Sequence, residues 1–405
     1  MQVQLDTRSS TRLNGIDGLR VLAALGVLVF HVAGVVGLQY GTGALAWLMA
    51  RGEARVAIFF AISGLLLYQP WAKSLLAEGG GPPSSRIFLT RRLLRIFPLY
   101  WLVAVTCLVA YNLPRIQDAW DWVNVLLLIH FFDPTPWWPG AQLGPIGLQQ
   151  MWTLAVDLSF YLLLPLLAWA LGRLARRGGV SPDTRAIRVL VMLGLLSLAS
   201  FGYLLVVYFP NYTMQLEWIL PRYFPWFAVG MAICVVRVWA RSGTPMAERV
   251  ARGCAEVARN AAICFVLAAL LFGLAATELG GPKVPVGWPE IQHGAFRLLA
   301  YTLMTLLIIA PVAFQPPGPT RVNRFLGNRT MTWLSNLSYG LFAWHILGIY
   351  LYYDITGRPY LDQAFFPVFL TVLAGSLAAA WVTYHLIERP GRILGKRIER
   401  AWGRS

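Results

Sequence analysis

The chain is 405 residues long and 57% hydrophobic, with a mean hydropathy of +0.58 and a formal net charge of +16. Apolar runs separated by short basic loops fill it, which excludes a soluble globular enzyme and marks a polytopic membrane protein. Nucleic-acid binding, the other reading of so basic a chain, lacks the soluble basic domain it needs.

Spanning segments are predicted near 16–38, 52–72, 94–112, 149–172, 189–209, 219–239, 261–279, 295–315, 335–353 and 365–387. Most reach the roughly 20 residues that a bilayer crossing requires. The apolar run at 122–132 is about half that length and reads as a re-entrant or interfacial segment. The expected fold is an all-α transmembrane bundle of about ten spans, a single integral-membrane domain over 1–405 with no fused soluble domain. With Arg20 counted to it, the N-terminal flank and the even-numbered loops together hold 27 of the 34 Lys and Arg residues. The positive-inside rule makes that side, and both termini, cytoplasmic. The first apolar segment is too long for a signal-peptide core and lacks a small-residue cleavage site, so it is expected to be retained. Cys107, Cys234, Cys254 and Cys264 show no CxxC spacing, so neither disulfides nor a metal site are indicated.

The first span carries Arg20 and His31, eleven residues apart on nearly the same helical stripe. At about 1.5 Å per residue they are separated by about 16 Å. Ionisable groups inside a membrane are costly, so the pair marks a functional site, with a long anionic cofactor laid along the helix. In the second span, Phe59-Phe60-Ala-Ile-Ser63-Gly64 offers a hydroxyl, with helix packing by the Ser-Gly pair as the competing reading.

Arg91-Arg92-Leu-Leu-Arg95-Ile-Phe-Pro98 opens the third span. Arg92 and Arg95 share a helix face, and guanidinium groups bind phosphate with a bidentate geometry that lysine cannot match. An ordinary positive-inside flank is the plainer alternative. The outer loop at 113–148, with Pro134, Pro136, Trp137, Trp138 and Pro139, reads as an ordered cap at the interface.

Asp157 in the fourth span is the clearest intramembrane carboxylate, at a depth comparable with His31. Beside an imidazole it would fix the tautomer and stabilise the imidazolium; pairing with Arg222 or another buried cation is the structural alternative. Arg222 and Arg297 sit toward the outer edge, where snorkelling accounts for them. His345 is a second intramembrane imidazole, and His385 and Glu388 are placed to pair with nearby arginines. The basic tail after Glu388, from Arg389 to Arg404, is expected along anionic headgroups. There is no Walker loop, GxGxxG, HExxH or GxSxG, so any chemistry must come from these scattered residues.

Taken together, the chain resembles the acyltransferase-3 family of bacterial integral-membrane enzymes. The resemblance runs through Ile16-Asp17-Gly18-Leu19-Arg20 with His31, Phe59 to Gly64, Arg91 to Tyr100, Trp152-Thr153 with Asp157 to Tyr161, Ser338-Tyr339 with Trp344-His345, and Glu388-Arg389-Pro390. It implies an acyl-CoA-dependent O-acyltransferase of the bacterial cytoplasmic membrane that acylates a hydroxyl of a glycan, glycolipid or related acceptor. Acetyl-CoA is the default donor, and no metal is involved. Arg92 and Arg95 match the family's RxxR motif for the CoA phosphates, with Arg20 and Arg91 alongside. His31 matches the catalytic histidine, oriented by Asp157; Ser63, Trp152, Tyr339 and His345 are expected along the substrate path. Two positions depart from the pattern. Asp157 stands where the family usually has glutamate, and Ala57 and Ile58 stand where it often has an acid; either that acid is dispensable here or Glu53, one turn away, substitutes for it. The rival function is a proton-coupled transporter or flippase for a lipid-linked sugar.

Overall fold

The computed structural model describes residues 13–76, 81–133, 136–138, 143–283, 289–314 and 320–402. Pro134 and Pro139 of the expected cap, and Arg404 of the tail, lie outside them. The described residues form helices and turns with no strand. In chain order the helices are α1 (Asn14–Val35), α2 (Gly43–Met49), α3 (Ala54–Leu76), α4 (Ser85–Cys107), α5 (Ala119–Leu126), α6 (Trp152–Ala175), α7 (Pro182–Tyr208) and α8 (Met214–Glu217). They continue with α9 (Leu220–Trp239), α10 (Pro245–Arg259), α11 (Ala261–Ala275), α12 (Ile291–Ala313), α13 (Arg321–Leu326), α14 (Arg329–Thr356), α15 (Phe365–Thr383) and α16 (Arg389–Trp402).

Their starts follow local chemistry. Side-chain oxygens of Ser84, Ser181, Thr244, Thr320 and Asn328 accept backbone N–H groups that the first turns of α4, α7, α10, α13 and α14 leave unpaired. Gly357, at φ +62°, takes the left-handed conformation that closes α14.

Seven described helical segments are long and apolar enough to cross a membrane: α1, α4, α6, α7, α9, α12 and α15, several with short extensions. The pair α10–α11, bent by 69°, makes an eighth if taken as one broken span. So the segment expected at 261–279 is a 15-residue helix behind a sharp corner rather than a plain crossing. α3 and α14, 23 and 28 residues long, are not in that set. The 122–132 run breaks into the eight-residue α5 and a 3-10 turn at His130–Phe132, far short of a span.

α3 is the axis. It crosses α9 at reciprocal glycines: a Cβ at Gly64 would strike the Phe227 carbonyl, and one at Gly230 would strike the Ala61 carbonyl. Backbone contact of this kind is how membrane helices gain packing energy without a hydrophobic drive. α1 packs on the other side of α3 and against α14. α16 folds back onto the start of α4, where Gly395 meets Arg91. The starts of α1 and α4 and all of α16 therefore share one end of the bundle, called here the terminal end. The starts of α3, α6, α9 and α12 form the far end.

Candidate active site

A cavity of about 240 Å³ opens between α1, α3, α4, α6 and α14. Arg20, Arg92 and Arg95 line it, together with Ser63, Asp157, Tyr161, Ser338 and Tyr339. Two helices, α1 and α4, thus deliver three cations to one hollow. Arg20 is fixed in place: its Nη1 donates to Ser335 Oγ at 3.2 Å, and Asp17 lies 3.7 Å away and accepts from the same hydroxyl at 3.2 Å. Arg92 and Arg95 are different. The Arg92 guanidinium stands 5.7 Å from the Phe88 ring with its Nε buried and unpartnered, and Arg95 has no ion pair among the described residues.

Asp157 is the cavity's carboxylate. The hydroxyls of Ser63 and Tyr161 lie beside it and the charges of Arg95 and Arg20 act on it, while its Oδ1 is buried without a hydrogen bond. Ser63 therefore faces the hollow, and its neighbour Gly64 does the helix packing. Tyr339 is anchored by its hydroxyl, which donates to the Ile96 carbonyl at 2.9 Å.

Toward the far end the cavity meets Phe59 and Phe342, ring centroids 6.5 Å apart. Behind Phe342, 5.8 Å from its ring, is His345, and His345 is bonded to His31. His345 Nδ1 is 2.7 Å from the Phe342 carbonyl, which only accepts, so that nitrogen carries the proton. His345 Nε2 is then the acceptor, and it takes the N–H of His31 Nδ1 at 3.1 Å. The same Nδ1–H also faces the Val27 carbonyl at 3.0 Å. By elimination, the lone pair of His31 is on Nε2.

This corrects the expected pairing. Asp157 does not orient His31; both nitrogen contacts of the His31 ring that face protein are at Nδ1, to Val27 and His345. Equal depth along two helices says nothing about azimuth, and Asp157 faces the arginines instead. Two further expectations shift. Arg91 is outside the cavity lining, held 2.9 Å from Glu399 of α16. Trp152 also lies off the cavity, 4.6 Å from Trp218 and 5.2 Å from Tyr223 in a packed aromatic cluster.

The sequence pattern missed Arg392 as a member of the cation group. A π-turn at Tyr384–Glu388 changes the helix phase before α16 and carries Arg392 back to Asn336 of α14, at 3.3 Å. Glu388, 1% exposed, pairs with it at 3.2 Å, and the charge of Arg392 reaches Arg95 and Arg20. The expected pairing of Glu388 with an arginine is the only signal the sequence offered.

The far end uses arginine otherwise. Arg51, 2% exposed, donates to the carbonyls of Ala275, Thr277, Gly281 and Pro282. Arg297 is 3.0 Å from Glu53, and Arg222 is 4.0 Å from Glu217 and donates to the Gly294 carbonyl. Both are enclosed in protein, so snorkelling does not describe them. Glu53, offered as a substitute acid, is occupied by Arg297.

Comparison with known proteins bears on this arrangement. An acyltransferase domain family matches residues 13–385. The peptidoglycan O-acetyltransferase OatA of Listeria monocytogenes is 24% identical over 402 residues, covering 93% of this chain and 55% of that protein. The O-acetyltransferase OatA of Staphylococcus aureus is 27% identical over 405 residues, covering 95% and 58%. The chain thus spans little more than half the length of these relatives. No solved structure matches it.

Proposed function

The chain belongs to this acyltransferase family, and on that premise we propose that it transfers an acyl group, acetyl by default, from acyl-CoA to a hydroxyl of a cell-envelope glycan. The basic terminal end faces the cytoplasm by the positive-inside rule, across a bacterial inner membrane crossed about ten times. One observation carries the reading: Arg20, Arg92 and Arg95 converge on a cavity whose far wall adjoins the His31–His345 pair.

CoA is itself polarised, with its phosphates at one end and the thioester at the other. Arg92 and Arg95, which make no ion pair among the described residues, take the phosphates with charge-assisted bonds, and Arg392 and Arg20 add to the field. Asp157 balances that field and leaves the arginines aimed at the donor. The pantetheine arm runs past Ser63 and Tyr339 toward Phe59 and Phe342, whose rings turn aside for the thioester carbonyl to meet the imidazole. His31 Nε2 accepts the proton of the acceptor hydroxyl as its oxygen attacks the thioester carbon. The C–O bond forms, the C–S bond breaks, and the imidazolium returns the proton to the departing thiolate. His345 is the positioning residue: by accepting from Nδ1 it keeps the lone pair on Nε2. The name of the Listeria relative makes peptidoglycan the first acceptor to try.

Purified protein in detergent tests this with labelled acetyl-CoA and peptidoglycan fragments. CoA is expected to raise the thermal midpoint of the wild type but not of Arg92→Ala or Arg95→Ala. His31→Ala is expected to lose at least about 10²-fold in transfer, the scale of general-base catalysis, while still responding to CoA. Indifference of the wild type to CoA overturns the reading and favours the proton-coupled transporter or flippase.

A further inference from the structure

Away from that cavity, a lateral groove of about 710 Å³ runs between α1, α3, α11, α12 and α13. Its size falls in the range of about 300–1,000 Å³ typical of small-molecule sites. Leu22, Ile58, Phe265, Met304 and Phe325 give it almost wholly apolar walls. α1, α12 and the α10–α11 pair are all candidate spans, so the groove opens within the membrane.

One charged group of α3 enters it. Arg55 lies across α1 at Gly26, where a Cβ would come within 2.9 Å of its Cγ; the glycine is the notch that lets the side chain pass. The Arg55 guanidinium stands 5.2 Å from the Phe272 ring, and its Nη1 donates to the Arg51 carbonyl at 3.1 Å. A guanidinium has five N–H donors, so most of these have no partner among the described residues. The neighbouring far-end arginines have protein partners of a kind Arg55 lacks: Arg51 donates to four carbonyls, Arg222 stands 4.0 Å from Glu217 and Arg297 3.0 Å from Glu53. Arg55 alone of the four has neither a carboxylate nor a set of carbonyls. A cation held at membrane depth beside an apolar channel calls for an anion on a chain.

We propose that this groove is a binding site for an anionic membrane phospholipid, its phosphate on Arg55 and one acyl chain along the Leu22–Met304 wall. The site is independent of the acyl-transfer reading and holds or falls without it.

Full-length protein in dodecylmaltoside, exposed to phosphatidylglycerol or phosphatidylcholine in mixed micelles, is read by native mass spectrometry for retained lipid. The wild type is expected to retain one phosphatidylglycerol about tenfold more tightly than phosphatidylcholine, the scale of one charge-assisted hydrogen bond. Arg55→Gln is expected to abolish the preference. Ile308→Trp, which fills the groove and leaves Arg55 in place, is expected to reduce retention of both lipids, and it serves if the arginine variant does not fold. A wild type without preference, a preference that survives Arg55→Gln, or retention unchanged in Ile308→Trp overturns the proposal. So does loss of the preference in Arg321→Gln instead, since Arg321 lines the groove on α13, beside Val322 and Phe325.

Discussion

Arginine does two jobs in this bundle, and its partners tell them apart. At the far end, Arg51 caps a whole turn of carbonyls beyond α11, and Arg297 and Arg222 sit against Glu53 and Glu217. There the cations staple loops and helices. At the terminal end, Arg92 and Arg95 have no ion pair among the described residues, and Asp157 is the one carboxylate that lines the cavity they face. The imbalance is what a polyanionic ligand would correct. Burial does not separate the groups, since both are largely enclosed; pairing with a carboxylate or a set of carbonyls does.

The contrast can be broken most severely at Arg51. Removing a buried charged donor from four carbonyls is expected to cost about 3–5 kcal/mol of stability, seen as a lowered thermal midpoint in Arg51→Ala. A variant that stays as stable as the wild type would erase the distinction between staple and binder. Next is His345→Phe, which takes away the acceptor for His31 Nδ1. It is expected to lower kcat by about tenfold, one misplaced hydrogen bond, with KM for acyl-CoA unchanged; a shift in KM alone would make His345 part of the donor site. Arg392→Gln is expected to do the reverse, raising KM for acyl-CoA several-fold, roughly the 1 kcal/mol of a partly screened contact, at constant kcat. Arg91→Ala should do least. Its pair with Glu399 is about two-fifths exposed on each side, and such pairs are worth about 0.2–1 kcal/mol. A large KM effect at Arg91 would mean that α16 releases it when donor binds.

Much of this was legible in the residues. Long apolar runs between basic loops set helices at all ten expected segments, because hydrophobic length is a local property. The RxxR spacing put Arg92 and Arg95 on one face, and an arginine in the first span implied a third cation nearby; the cavity joins all three. Azimuth was not legible. Asp157 and His31 were expected at one depth, yet Asp157 faces the arginines of the cavity and His31 bonds His345. The His31–His345 bond links residues 314 apart and has no spacing to betray it. Arg392 was hidden for another reason: the π-turn at Tyr384–Glu388 resets the phase, so counting by 3.6 aims it the wrong way.

The two phenyl rings between cavity and imidazole pair have a consequence for fidelity. A general base with open access to an activated ester would hand it to any passing water molecule, and acetyl groups would drain away as acetate. On the proposed reading, Phe59 and Phe342, which line the cavity on the side of the imidazole pair, would make that leak conditional on a ring movement.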